Sequence, residues 1–243
     1  METDNMDSFL NSTGFGFPES SEDIESFNQF SEGYEFKADV NKIDPSEILN
    51  SVRKQSQTIS GVDYHKRTVL AAEIVFQLHS EWSLGHLKLQ KLIYLCQQTT
   101  GMAIHTNFLR QAMGPYDPRL MRSIDSQFVK NKWFKYNKSA NQKYIALENA
   151  GDHKEWFERY FRNEIDDINL IIDLFRKMKT RQVELIGTVY ACWVKVLEEK
   201  NQFDEKEVIS KFYNWSEEKE KFNIEEIKNA ISWMLEYKIY PIE

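Results

Sequence analysis

Residues 87–98, L-K-L-Q-K-L-I-Y-L-C-Q-Q, constrain the fold more than any other stretch. Leu89, Leu92, Ile93 and Cys96 recur at i, i+3, i+4 and i+7, the spacing of one buried helical face. Lys88, Lys91 and Gln98 fall on another side and read as solvent-facing. Gly101 stands where a glycine in the left-handed conformation ends a helix. The same period recurs upstream in Val69, Ala72, Val75 and Phe76, and downstream in Leu185, Val189, Cys192 (or Trp193) and Val196. Nine Gly and five Pro in 243 residues are too few for a turn-rich all-β design, and an aromatic content of 14% supplies a dense core. The expected fold is mainly α.

Charge divides the chain into three. Residues 1–52 carry twelve acids and two bases, residues 53–145 fourteen bases and five acids, and residues 146–243 fifteen bases and twenty-one acids. The total of −7 therefore hides a middle third that is markedly basic, which suits an anionic partner or contact between the segments. No apolar run reaches the length of a membrane span, and the start M-E-T-D-N-M-D has neither a basic nor an apolar leader region, so a cytoplasmic protein without membrane contact is expected. Cys96 and Cys192 fall on apolar helical faces without C-x-x-C or clustered His, and read as buried, inert thiols.

Segment by segment, residues 1–52 read as an acidic region that is disordered when free. Its aromatics Phe15, Phe17, Phe27, Phe30, Tyr34 and Phe36 suit a segment that folds onto a protein partner, with a solubilising tail as the alternative. Asp44-Pro45 marks a short helix start. Residues 53–151 form a helical domain. Within it Gly114-Pro115 reads as a turn, and Asp117-Pro118 as a strong helix start with Leu120, Met121, Ile124 and Phe128 facing inward. W-F-K-Y-N and Q-K-Y-I-A-L, on either side of K-S-A-N, read as a β-hairpin. Helix, turn, helix and hairpin in that order suggest a winged helix, although residues 101–116 are longer than a tight helix-turn-helix link. Residues 152–243 read as helical, with one long helix over about 155–178 and capping-box-like starts at Asp204/Glu207 and Asn223/Glu226. They leave room for a second winged-helix-like unit.

Chemistry-bearing motifs are sparse. Glu164, Asp166, Asp167 and Asp173 fit a solvated helix face better than a metal site, because neighbouring helical acids point apart. The E-x-K triplets, Glu217–Lys219 among them, lack a preceding aspartate-bearing strand. The five histidines lack metal-ligand spacing, and no G-x-S-x-G or phosphate-binding glycine loop occurs. No enzyme activity, cofactor or metal is expected. A nucleic-acid face is the more concrete candidate: Arg119, Arg122, Lys130, Lys132, Lys135, Lys138 and Lys143 line the second helix and hairpin, with Ser123 and Ser126 small enough for close approach.

The block Lys88, Leu89, Gln90, Lys91, Leu92, Tyr94, followed by Phe108, Ala112, Gly114 and Pro115, resembles the SocA-like antitoxin family, also called the Panacea domain. The continuation Y-D-P-R-L-M-R-S-I-D-S-Q-F is most similar to related helical domains associated with bacterial restriction systems. The resemblance spans roughly residues 66–150 and departs from the family at Gln111-Ala112-Met113, where a Trp is common. It implies a non-enzymatic protein that controls a toxin, or serves a phage-defence or restriction complex, through protein contacts. Lys88 and Lys91 are then expected on the docking surface, together with the N-terminal aromatics. A winged-helix DNA-binding regulator is the competing expectation.

Overall fold

The apolar periodicities become eight α-helices among the described residues of the computed structural model, which describes residues 61–241. In chain order they give α1 (Gly61–Leu78), α2 (His86–Thr100), β1 (Leu109–Gln111), β2 (Gly114–Tyr116), α3 (Pro118–Lys130), β3 (Phe134–Tyr136) and β4 (Tyr144–Ala146). There follow α4 (Lys154–Tyr160), α5 (Ile165–Phe175), α6 (Thr180–Lys200), α7 (Glu205–Tyr213), a 3₁₀ turn (Glu217–Lys221) and α8 (Ile224–Glu236). The fold is mainly helical with two small antiparallel hairpins, β1–β2 and β3–β4. The aromatic residues singled out near the N-terminus, and the helix start at Asp44, lie outside the described residues.

Two helices are enclosed on nearly every side. α2 buries every residue from Leu87 to Cys96, and α6 every residue from Gln182 to Trp193. Each fully buried Leu or Ile contributes about 1.5–3 kcal/mol relative to exposure. α2 packs against α1, α5, α6 and β2, while α6 also carries α7 and α8. The described residues form one unit, so helices on both sides of residue 151 share this core. Among the described residues no strand follows Ala146.

The ends behave as the sequence predicts. Gly101 takes φ 67° and returns its N–H to Gln97 O. Asp117 accepts from the N–H groups of Arg119 and Leu120, with Pro118 inside the first turn. Asn223 and Glu226 form a reciprocal capping box.

Two expectations fail. The long helix over 155–178 is broken at Phe161–Glu164 into α4 and α5. The corner lets α4 bury Phe157 against α1 while α5 buries Ile168, Ile171, Ile172 and Phe175 against α2. A straight helix cannot serve both. Gly114-Pro115 is not a turn between helices, because both residues begin β2. The hairpin turn is Ala112–Met113, and Gly114, opposite Gln111, takes φ 94° as the chain comes out of it. The β3–β4 hairpin forms around residues 137–143, with Lys135 opposite Ile145.

α1 meets α4 through a buried acid. Glu73, 2% exposed, bonds to His153 Nε2 at 2.9 Å and accepts from Lys154 Nζ at 2.7 Å and Gln77 Nε2 at 2.8 Å. Burial by itself raises a carboxyl, but the hydrogen bonds from His153, Lys154 and Gln77 outweigh it and hold Glu73 down at about 2. Its folded pKa is therefore below its ordinary 4.5. The stability it contributes is present above 4.5 and is lost as pH falls toward 2. Thermal melts of Glu73→Gln across this range should show a flatter acid limb than the parent chain; an unchanged slope would contradict this role.

Candidate functional site

The polar residues of the K-L-Q-K block are internal. Lys88, Gln90 and Lys91 all have 0% exposure, which corrects the expectation that Lys88 and Lys91 lie on a solvent-facing docking surface. The reason is the all-round enclosure of α2: its second face is covered by α6 and by the β1–β2 hairpin, so its lysines find partners inside. Lys91 Nζ donates to Pro115 O at 2.6 Å. Its stem runs between two glycines. A Cβ on Gly187 of α6 would stand 3.0 Å from Lys91 Cδ, and one on Gly114 of β2 would stand 3.1 Å from Nζ and 2.5 Å from Thr188 Oγ1. Gln90 Oε1 accepts from the Asp117 backbone N–H at 2.7 Å, holding the start of α3. Tyr94 meets Phe108 edge-on at 5.1 Å. Residues of α2, the segment from Phe108 to Asp117, and α6 thus converge on one latch that fixes the hairpin against α2 and α6.

Lys88 serves the opposite end of the helix layer. It donates to Ser83 Oγ (2.8 Å), to Arg176 O (3.0 Å) at the C-cap of α5, and to Met178 O (2.9 Å) in the link to α6. Burial pulls its amine down to about 7. Burial, helped by nearby Lys219, pushes Lys91 well below its ordinary range, against an opposing pull from Glu184.

The latch continues into a buried ion cluster that the sequence reading missed. Glu184, also 0% exposed, accepts from Lys219 Nζ at 2.6 Å and Lys221 Nζ at 2.8 Å. Lys219 sits 5.8 Å from the ring centroid of Phe212 and 5.9 Å from that of Phe222. The signal was V-E-L-I-G-T-V-Y-A-C-W, apolar around the whole helix, which leaves Glu184 no route to solvent. In the sequence Lys219 stands out only as part of an E-x-K triplet. On the hairpin's outer side Trp215 Nε1 donates to Gln111 O at 2.7 Å, Ser216 Oγ to Ala112 O at 3.0 Å, and Arg110 Nε to Trp215 O at 2.9 Å. The hairpin is clamped from two directions.

The basic candidates are only partly assembled. Arg119, Arg122, Ser126 and Lys130 lie exposed on α3, and Lys135 and Lys138 lie exposed on the β3–β4 hairpin. Ser123 does not join them: it accepts from Arg67 Nη2 at 2.8 Å and donates to Tyr64 OH at 2.7 Å, because its position on α3 faces α1. Lys132 takes φ 59° just after α3 and pairs with Glu148, while Lys143 is half-buried and donates to Lys138 O. His86 lies 2.8 Å from Asp125 and stacks on Tyr136 at 3.7 Å, packing the hairpin against α2 and α3.

Cys96 and Cys192 are buried, and burial raises both thiols, Cys192 to about 12. Among the described residues no group of three His, Cys, Asp or Glu side chains is placed to hold a metal, and no helix is long and apolar enough to cross a membrane. Compared with protein families, with curated proteins and with solved structures, the chain matches none.

Two measurements follow from the latch. Gly114→Ala places a methyl group on Thr188 Oγ1 at a backbone angle suited to glycine, and should cost about 2–4 kcal/mol in urea unfolding. Gly187→Ala, which presses only on the flexible lysine stem, should cost about 1 kcal/mol. Equal costs would mean that the hairpin is not seated as described. For the buried lysines, folding favours the neutral amine, so the unfolded chain binds more protons between about 7 and the ordinary 10.5 of Lys88. Stability should therefore rise with pH from 7 toward 10, and then fall above 10, where tyrosines such as Tyr136, raised by burial to about 12, ionise more readily in the unfolded chain. Lys88→Met should make the rise shallower.

Proposed function

We propose that the protein acts by binding rather than by turnover: an antitoxin-like or restriction-associated accessory protein that holds and controls a toxic or nucleic-acid-targeting protein partner. The observation that carries this reading is the convergence of the residues behind the family resemblance. Lys91 meets Pro115, Tyr94 meets Phe108, and Gly114 leaves room for Lys91. They behave as one physical unit, as expected if the resemblance is to a shared scaffold and not to chance helical spacing. The unit is a support: it spends its polar groups internally and presents a rigid hairpin and the outer face of α3. Rigid presentation favours partner recognition, since little ordering remains to be done on binding.

Expression with the products of adjoining genes tests the reading. Growth arrest caused by such a product should be relieved by this chain, and the two proteins should elute as one species by gel filtration with light scattering. Weakening the latch with Gly114→Ala should reduce relief in proportion to lost folding, whereas Lys206→Glu, exposed on α7, should not. Persistent arrest with separate elution would overturn the proposal.

A further inference from the structure

The outer face of α3 carries a charge pattern that the partner-binding reading does not require. Between residues 118 and 147 the sequence has seven Lys and Arg and one acid, Asp125. That acid is turned toward His86 and Tyr144. Just past β4, Glu148 pairs with Lys132, and the remaining exposed cations of α3 and the β3–β4 hairpin leave a field that is predominantly positive. Arg119, Arg122, Ser126 and Lys130 follow each other at i, i+3, i+7 and i+11, a single stripe about 16 Å long at 1.5 Å per residue. Duplex DNA has a major groove about 12 Å wide, so cations at both ends of such a stripe reach phosphates on either rim.

The centre of the stripe distinguishes the partner class. Protein interfaces concentrate their energy in buried aromatic or Arg anchors at the middle of the contact. Here the middle is Ser126, and the neighbouring aromatics Phe128, Trp133, Phe134 and Tyr144 are all turned into the core. Val129 and Ile145 are the exposed large apolar side chains of this region, 53% and 43% accessible, and each stands among cations. We infer that the exposed face of α3, with Lys135 of the hairpin, binds the phosphate backbone of duplex nucleic acid with little reading of sequence. Low sequence preference follows from Ser123 being held inward by Arg67 and Tyr64, which leaves Ser126 as the short polar side chain able to approach base edges.

The test uses the purified full chain alone, so its failure leaves control of a protein partner untouched. Fluorescence anisotropy with two labelled duplexes of unrelated sequence should give affinities within about three-fold of each other, the mark of backbone contact. With four phosphates engaged at about 0.9 per contact, affinity should fall about 100-fold between roughly 50 and 200 mM salt. The double variant Arg122→Ala/Lys130→Ala should reduce the salt slope by about 2, and Lys206→Glu should leave it unchanged. Urea unfolding of each variant confirms that the fold is retained. No binding at the lower salt, a slope unaffected by the double variant, or equally tight binding of polyglutamate through the same residues would overturn the inference; the last would assign the face to an acidic protein.

Discussion

The inner seat of the β1–β2 hairpin, where it meets α2 and α6, rests on one hydrogen bond made away from water, from Lys91 Nζ to the carbonyl of Pro115. Pro115 has no N–H and its carbonyl is shielded, so without Lys91 that oxygen would be buried and unpaired, at a cost of about 1–3 kcal/mol. Only a long, unbranched side chain reaches it from the α2 backbone. The stem in turn needs a channel, which exists because Gly114 and Gly187 present no Cβ to it. Donor, acceptor and channel belong to three different elements, and each is useless without the other two.

Burying a lysine is costly, and the fold lowers the cost in two ways. At Lys88 it supplies three oxygen acceptors, two of them carbonyls around the end of α5, where the helix dipole favours positive charge. If the amine loses its proton, the Ser83 hydroxyl is able to donate to the free lone pair while the two carbonyls keep their N–H partners. Both protonation states are satisfied. At Lys91 burial favours the neutral amine, nearby Lys219 adds to it, and Glu184, already bonded to Lys219 and Lys221, opposes it only in part. Two lysines three residues apart on one helix therefore meet different electrostatic problems and solve them differently.

Local features of the fold were legible because they are set by short-range chemistry. The Asp117-Pro118 start, the Gly101 stop, the inward stripe of α3 and the hairpin around residues 137–143 each need only neighbours in sequence. What escaped was decided at a distance. Lys88 and Lys91 look solvent-facing on a helical wheel, and nothing within fifteen residues says that α6 and the hairpin will close over them. The break at Phe161 is likewise invisible to periodicity, since α4 and α5 share a single apolar phase and separate only because α1 and α2 pull them in different directions. Ser123 has the same spacing as its exposed neighbours on α3, and is claimed by Arg67 from α1. The clue that was present and undervalued was enclosure: a helix apolar around its circumference will bury whatever polar residues it carries, so the lysines of α2 and Glu184 of α6 had to find partners inside.

The same residue type thus does opposite work on the two sides of the molecule. Inside, lysines are few, individually placed and bound to particular oxygens, so their positions are dictated by the fold. Outside, the cations of α3 and the β3–β4 hairpin are for the most part exposed, and their effect is summed through a shared field. This separation makes the two roles experimentally divisible. Surface substitutions away from packed or buried groups typically shift stability by no more than about 0.5 kcal/mol, so changes at Arg122 or Lys130 report on binding alone. Changes at Lys91, Gly114 or Gly187 alter the platform that holds both faces in place, and any loss of binding they cause must first be measured against loss of folding.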